Sequence, residues 1–297
     1  MNSFENVMIR ITRYFIKTYW LSGAFLYLIA GHVSGQTILF SGEKNQNWDL
    51  YALNIETGEI SQLASHELKD FQSDYSPSNH EIVFDSYRDA NHRNIFRLDL
   101  TTQNLFQLTS LSSRDGHPVW SPNGQKIAFQ SSRTGDSEVF IMDRNGRNIT
   151  QMTESAGFDG IPKWSADGLH IAFNSNRTGS PQVFVIHLAD HKIDQVSNGN
   201  YPCFIQDWIS KDELLVTAKV DGQSQLQIVH ITNGSRITLD TPGHVTYARS
   251  NGKGKIVFTQ ENEEGIAEVF LMNQDGSHLT QLTTDNMNKR FPAFAAY

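Results

Sequence analysis

The chain has 297 residues and a formal net charge of −8, from 24 basic and 32 acidic side chains. This net negative charge excludes the broad basic surface that is typical of nucleic-acid-binding proteins. The single cysteine, Cys203, excludes an internal disulfide and a multi-cysteine metal site. Aromatic residues make up 11% of the chain and charged residues 19%, which indicates an ordered globular protein.

The first 35 residues have the pattern of a secretory signal peptide. An apolar run of about 12 residues, 20–31, is too short to cross a bilayer as a helix. It follows three basic side chains, Arg10, Arg13 and Lys17. Small residues at Val33-Ser34-Gly35 match a signal-peptidase site, so we predict cleavage after Gly35 and a periplasmic or secreted mature chain of residues 36–297 without a stable membrane span. The alternative is an uncleaved amphipathic anchor.

An internal repeat occupies the remainder of the chain. Residues 115–153 and 159–197 align without a gap, and Trp120 and Trp164 stand 44 residues apart at equivalent positions. Related copies precede and follow these two, and those after Gly199 are more diverged. Each copy has four short apolar runs bounded by turn residues, which predicts four strands. Four strands in a unit of about 40–45 residues are typical of a propeller blade.

The copy at 115–153 illustrates the prediction. Its strands are expected near Pro118–Ser121, Lys126–Gln130, Glu138–Asp143 and Asn148–Met152. Pro122-Asn123-Gly124 and Asn145-Gly146 lie between predicted strands and favour tight turns.

The two ends of the predicted propeller contain complementary partial repeats. Residues 37–40 match the second strand of a unit, and no first strand precedes them. Residues 290–294 match a first strand, and no second strand follows. The sequence therefore predicts an all-β, six-bladed propeller with four antiparallel strands in each blade, in which the C-terminal strand completes the first blade and removes exposed sheet edges. An open β-sandwich of about seven strands does not explain these partial repeats.

The repeat resembles that of the TolB propeller family. The resemblance covers nearly all of residues 36–297 and is most complete at Trp120-Ser121-Pro122-Asn123-Gly124 and Ser132-Arg133-Thr134-Gly135. It implies a six-bladed periplasmic propeller that binds an envelope protein, as TolB docks a peptidoglycan-associated lipoprotein. TolB also has an α/β domain before its propeller. Here the predicted signal joins the first strand directly, so we expect that domain to be missing and carry over the fold and a binding role only.

Two positions recur along the repeats with a structural interpretation. Large aromatic residues recur at one position and are expected to pack between blades: Tyr75, Trp120, Trp164, Trp208, Tyr247 and Phe294. Arginines recur at another position and are expected to bond backbone carbonyls or a neighbouring carboxylate: Arg88, Arg133 and Arg177.

The start of each inner strand is the predicted binding rim of the central channel. Five residues before the aromatic position, three successive blades contain an aspartate: Asp70, Asp115 and Asp159. Converging on the channel mouth, they would hold a hard cation such as calcium or contact basic groups of a partner. The alternative is that each aspartate caps a local turn. The predicted rim also includes Gln72, His117 and Arg290, while Cys203, Pro242 and Lys289 take the aspartate position in the other blades.

The sequence leaves three functions open. No GxSxG, HExxH or GxxxxGK[ST] motif occurs, and the only closely spaced histidines, His187 and His191, fall at a strand end and a turn. The first hypothesis is a monomeric scaffold that binds an envelope protein or another peptidoglycan-associated partner, and no nucleic acid. The second is a lyase or hydrolase of acidic oligosaccharides with its site at the channel mouth. The third is a small-ligand sensor.

Overall fold

The computed structural model describes residues 17–21, 24–28, 36–89, 92–110, 112–241 and 243–296. Within these ranges the secondary structure is entirely β, with no helix. The strands are β1 (Lys17–Leu21), β2 (Ala24–Leu28), β3 (Thr37–Lys44), β4 (Asn47–Asn54), β5 (Ile60–Ala64), β6 (Asp70–Ser76), β7 (Glu81–Ser86), β8 (Asn94–Asp99), β9 (Leu105–Gln107), β10 (Asp115–Trp120), β11 (Lys126–Ser131), β12 (Glu138–Asp143), β13 (Thr150–Gln151), β14 (Asp159–Trp164), β15 (His170–Ser175), β16 (Gln182–His187), β17 (Ile193–Gln195), β18 (Cys203–Ser210), β19 (Glu213–Val220), β20 (Gln223–His230), β21 (Arg236–Thr238), β22 (Val245–Ser250), β23 (Lys255–Glu261), β24 (Ala267–Asn273), β25 (Thr280–Gln281) and β26 (Asn288–Ala296).

Six four-stranded antiparallel sheets form the blades of a propeller, which confirms the predicted fold. In chain order the blades are β26-β3-β4-β5, β6 to β9, β10 to β13, β14 to β17, β18 to β21 and β22 to β25, numbered here as blades 1 to 6. The first strand of each blade is its inner strand. Neighbouring inner strands contact each other all the way round, from β6 through β10, β14, β18, β22 and β26 back to β6. The six inner strands therefore surround one central channel.

The C-terminal strand closes the ring as predicted. In blade 1, β26 pairs antiparallel with β3, and Phe294 stands opposite Ile38. β26 also contacts the inner strands of both neighbouring blades. A buried lysine on β26, Lys289, reaches back to blade 6, where its ammonium lies 2.8 Å from the Glu268 carboxylate. The same ammonium pairs with Asp285 and donates to the Met287 carbonyl oxygen at 2.6 Å.

A threonine or serine after the fourth strand explains one recurring element of the repeat. The Thr153 hydroxyl accepts a hydrogen bond from the Val139 backbone N–H at 2.9 Å and donates to Glu138 at 2.6 Å. Ser197 makes the equivalent pair of bonds in blade 4. These bonds satisfy backbone groups where the short outer strand ends, so the hydroxyl-bearing residue fixes the outer edge of the blade.

The apolar core lies at the interfaces between neighbouring blades. One buried cluster combines Val83 and Ile95 of blade 2 with Trp120, Phe129 and other side chains of blade 3. Trp208 of blade 5 packs the same way and donates its indole N–H to the Lys163 carbonyl oxygen of blade 4 at 2.9 Å. The structural interpretation of the recurring tryptophans is therefore confirmed.

The prediction for blade 6 is wrong at the aromatic position. Ser250 pairs with Ile256 there, as Trp120 pairs with Ile127 in blade 3, whereas Tyr247 lies inside the channel. This diverged copy has Ser250 where the other copies have a large aromatic residue, so the nearby Tyr247 imitates the pattern in the sequence. The equivalent of the aspartate is consequently Val245, and Pro242 lies outside the described residues.

The predicted signal segment is only partly described. β1 and β2 pair antiparallel, with Lys17 opposite Leu28. The other residues of 1–35, including the predicted cleavage site, lie outside the described residues, and cleavage after Gly35 stays a prediction. The described part of the chain contains no helix that is long and apolar enough to span a membrane.

Candidate functional site

The three predicted rim aspartates are buried within their own blades. Each begins an inner strand and is fully buried: Asp70, Asp115 and Asp159. Each forms an ion pair with the recurring arginine of the same blade, at 2.6 Å for Arg88, 3.2 Å for Arg133 and 2.6 Å for Arg177. The arginines therefore bind neighbouring carboxylates, as their structural interpretation predicted.

Each ion pair is fixed by a serine and two phenylalanines. In blade 3, the Arg133 Nε–H donates to Ser131 at 2.8 Å, and Ser131 donates to Asp115 at 2.5 Å. The guanidinium lies 5.1 Å from the Phe129 ring centre and 4.9 Å from that of Phe140. Each aspartate is thus paired with a cation inside its blade, and this arrangement has a structural role.

The three aspartates that were predicted to hold a cation are each paired with an arginine of their own blade. Their carboxylates are held separately, each by its own guanidinium, instead of converging on one ion. Across the ranges that the structure describes, no group of three or more His, Cys, Asp or Glu side chains is placed to hold a metal ion. The pair His187 and His191 is no exception, since His187 bonds Asp194 at 3.0 Å in the exposed outer part of blade 4.

The inner strands turn four side chains into the channel by means of a strained backbone. Four non-glycine residues at the same position of their strands have a left-handed backbone conformation, with φ of 53° at Gln72, 51° at His117, 57° at Ile161 and 54° at Phe291. A register shift surrounds each of them. Such conformations are unfavourable for residues other than glycine, above all for a β-branched isoleucine, and bulges of this kind redirect side chains at functional sites.

A cavity of about 350 Å³ occupies the channel at this level. All six inner strands line it, with Gln72, His117, Ile161, Ile205, Thr246 and Phe291 among the lining residues. A volume of this size fits a small ligand or a short stretch of polypeptide.

Two of the predicted rim residues, Gln72 and His117, lie together in this cavity. Their side chains are 3.2 Å apart, and the His117 backbone N–H bonds both the Gln72 side-chain oxygen at 3.1 Å and Asp85 at 3.3 Å. Burial raises the pKa of Asp85 to about 7, although Arg93 opposes the shift. Burial also keeps the pKa of His117 well below its usual value, with Arg93 and Lys163 adding to the effect.

Aromatic side chains form one side of the cavity and its rim. Phe291 lies 4.1 Å from Tyr247 and 6.2 Å from Phe71, measured between ring centres. Phe71 in turn packs against Trp48 at 5.5 Å, and the guanidinium of Arg290, another predicted rim residue, lies 5.0 Å from the Trp48 ring. We call Trp48, Phe71, Tyr247 and Phe291 the rim aromatics.

Below the cavity, four charged side chains of the inner strands occupy one level of the channel. Each inner strand contributes one residue to this level, and each of these residues pairs with the equivalent residue of the second strand in its blade. The six residues are Asp74, Val119, Lys163, Asp207, Arg249 and Ala293. We call them the channel ring. A second cavity, of about 160 Å³, is lined by Asp74, Asp207 and Arg249 of the ring together with residues beyond it. Arg249 lines both cavities.

Arg249 bridges the two carboxylates of the channel ring. Its guanidinium pairs with Asp74 across the channel, and its Nε lies 3.9 Å from Asp207. Asp74 also accepts the Trp120 backbone N–H at 2.8 Å, and Asp207 accepts that of Ser250 at 3.0 Å. Burial raises the pKa of Asp74, with Arg249 opposing the shift.

Sequence reasoning missed the channel ring, although a signal for it exists. Every ring residue directly precedes the aromatic position or its equivalent, as Lys163 precedes Trp164 and Arg249 precedes Ser250. Inspection of that position across the copies finds Asp74, Lys163 and Asp207, whereas Arg249 is missed because the sequence suggests Tyr247 for the aromatic position of blade 6. The charged residues of the channel ring come together only when the propeller closes, because blades 2 and 6 are far apart in sequence.

Known structures share this architecture. TolB from Acinetobacter baumannii superposes with a TM-score of 0.78 at 20% identity, covering 88% of this chain and 66% of that chain. A putative TolB from Agrobacterium tumefaciens gives a TM-score of 0.68 at 15% identity, covering 84% of this chain and 90% of that chain. An oligogalacturonate lyase in complex with manganese gives 0.60 at 14% identity, covering 90% of this chain and 84% of that chain. At these identities the likeness establishes the fold alone.

The family follows from the sequence match. No curated protein sequence matches the chain. A family model of the TolB beta propeller domain matches residues 87–297, which is more than two thirds of the chain. The chain therefore belongs to the TolB beta propeller domain family.

Proposed function

We propose that this protein is an exported envelope component that binds a segment of another protein at the mouth of its propeller channel. The observation that carries the proposal is the cavity of about 350 Å³ on the channel axis, lined by Tyr247 and Phe291 of the rim aromatics. Membership of the TolB beta propeller domain family supports a binding role, which the resemblance of the repeat implies.

The lining of the cavity suits a polypeptide. Apolar side chains such as Ile161 and Ile205 would bury the side chains of a partner, while Gln72 and Thr246 offer hydrogen-bonding groups for its backbone. Aromatic anchors set in a pocket commonly supply most of the binding energy of an interface. Each inner strand that carries these groups pairs with the second strand of its blade and contacts the inner strands of both neighbouring blades. The site is therefore preorganised before the partner binds.

The carbohydrate-active alternative loses its candidate residues. It depended on Asp70, Asp115 and Asp159 at the channel mouth, and the three carboxylates are ion-paired inside their blades. The likeness to an oligogalacturonate lyase is one of fold and transfers no activity to this chain. Similarly, the chain spans 66% of the length of the Acinetobacter TolB structure, so participation in a Tol assembly is not part of the proposal.

Photocrosslinking in the native envelope tests the proposed site. A photoreactive phenylalanine analogue would replace Phe204, which lines the cavity, or Phe71, which packs against Phe291 at the mouth. Ile237 on the outer strand β21 would be replaced as a matched control. We expect one crosslinked protein to appear from both mouth positions and to be absent from position 237, which is 61% exposed and equally free to react. Crosslinks from position 237 alone, or none from the mouth in a strain that makes the protein at its normal level, would contradict the proposal.

A further inference from the structure

The amine of Lys163 stands apart from the other charges of the channel ring. Lys163 belongs to β14 and lines the larger cavity, below Ile161. Its backbone is fixed, because its carbonyl oxygen accepts the indole N–H of Trp208 at 2.9 Å. Within the described part of the chain, its ammonium has neither an ion pair nor a hydrogen bond. The backbone of Lys163 is thus held in place at a position that lines the cavity.

Among the described residues, no carboxylate forms an ion pair with the Lys163 amine, although the two acidic and two basic side chains of the channel ring balance in formal charge. Asp74 on β6 and Asp207 on β18 are the carboxylates that face it, and both are engaged by Arg249 on β22 and by backbone N–H groups. His117 on β10 also faces it and stays neutral near pH 7. Burial, reinforced by Arg249, lowers the pKa of Lys163 to about 7. An unpaired ammonium in a desolvated channel is unfavourable, and an anion from outside would relieve that cost.

We propose that Lys163 is the floor of a carboxylate-binding site, so that the segment entering the channel presents one carboxylate to its ammonium and an apolar body to the walls. This inference rests on the proposed function and specifies the chemistry of the partner segment. The walls near Lys163 are apolar at Val119, Ile161, Ile205 and Val245. An amine at the end of such a pocket resembles the usual arrangement of ligand sites, in which a few polar groups fix the orientation of an apolar ligand.

The charge of the site favours a carboxylate over a phosphate. Lys163 offers a single ammonium without an ion pair, whereas a phosphate monoester carries between one and two negative charges and would also face Asp74 and Asp207. A single ammonium also lacks the forked geometry with which arginine binds phosphate in two places. The carboxylate could be a C-terminus or an acidic side chain, and both have the same charge.

The inference predicts a definite pH dependence. The anion binds the protonated amine, so binding raises the pKa of Lys163 and is accompanied by proton uptake near pH 7. Affinity should be fully present below that pKa and should fall as the pH rises through it. Between pH 6 and pH 9 we expect a loss of about tenfold or more.

Calorimetry with three short peptides and the purified mature protein provides the test. The probes are acetyl-Ala-Ala-Ala-Leu with a free C-terminus, the same peptide amidated, and an amidated acetyl-Ala-Glu-Ala-Leu. We expect one of the two carboxylate peptides to bind at least about tenfold more tightly than the neutral amide at pH 6, since a charge-assisted contact is worth about 1.5–3 kcal/mol. Which of the two binds tells a C-terminus from an acidic side chain.

Three variants separate the role of the amine from general effects. Lys163→Met should remove the preference for carboxylate, and Lys211→Met, which alters an exposed lysine outside the cavity lining, should retain it. Lys163→Arg should retain the preference and abolish its pH dependence between pH 6 and pH 9, because a guanidinium stays charged over that range. Unchanged melting curves would show that each variant is folded.

Two results would overturn the inference: equal affinity for carboxylate and amide peptides, or a carboxylate preference that survives in Lys163→Met. The proposed function would survive either result if the mouth still crosslinks to its partner. A missing crosslink together with a Lys163-dependent carboxylate preference would instead refute the proposed partner and retain the site.

Discussion

The residues that the structure reinterprets most strongly are the aspartates of the inner strands. In the sequence alone Asp115 resembles a ligand at the channel rim, yet its partner, Arg133, stands 18 residues further along the chain. The same separation recurs for Asp70 with Arg88 and Asp159 with Arg177. A constant separation in three copies is a signal of a repeated internal contact. It indicates packing within a blade, whereas a shared ion would have required side chains from different blades.

Asp85 offers a residue-scale prediction about pH. Its pKa is about 7 in the folded protein because of burial, with Arg93 opposing the shift, whereas the ordinary value is 3.8. Between these values the folded state holds a proton that the unfolded state has released, so the contribution of Asp85 to stability falls as the pH rises from about 4 to 7. Asp85→Asn should therefore flatten the dependence of the unfolding free energy on pH across this range.

Urea unfolding at a series of pH values measures this effect. Asp207→Asn is a suitable control, because it alters another carboxylate of the channel without removing the buried group at position 85. The explanation fails if the difference in unfolding free energy between the wild type and Asp85→Asn stays constant between pH 4 and pH 7.

At the scale of the element, closure depends on β26. The strand supplies the inner edge of blade 1, and its buried Lys289 joins that blade to blade 6 through Glu268. In blades 2 to 4 an aspartate takes the same position and pairs with an arginine inside the blade, whereas in blade 1 a cation takes it and reaches across the blade interface. The position where the ring closes thus has its own connection between blades.

Lys289→Met tests that connection. Removal of the cation leaves the Glu268 carboxylate buried without compensation, and we expect a loss of about 3–5 kcal/mol of unfolding free energy. The double variant Lys289→Met with Glu268→Gln removes both charges and keeps an acceptor for Thr283, so it should recover much of the loss. Urea unfolding of both variants provides the measurement, and a double variant as unstable as the single one would refute the ion pair as the cause.

For the whole molecule, the architecture could be predicted from the repeat, and the site could not. Blades 2 to 4 follow from turns such as Pro122-Asn123-Gly124 and from regular aromatic positions, because these features act locally. In blade 3 the first strand begins at Asp115 rather than near Pro118, since the bulge at His117 interrupts its alternation. Blade 6 was misaligned for a different reason, because its copy has Ser250 at the aromatic position and Tyr247 three residues earlier.

The channel ring shows why the site is harder to predict. Asp74 and Arg249 are separated by 175 positions and meet only because β26 joins blade 6 to blade 1 and so brings blade 2 within reach. Local sequence patterns carry no information about contacts between residues so far apart in the chain. The left-handed conformation of Ile161 and Phe291 is likewise imposed by the inner strands, and not by a residue preference.

Hydrogen exchange of the purified propeller, free and in complex with the crosslinked partner, tests most directly whether the partner enters the channel. We expect protection to increase in the inner-strand segments 70–74, 116–119 and 244–249, with the outer strands β9, β13 and β21 unchanged. Protection confined to the outer strands, with the inner segments unchanged, would contradict the account.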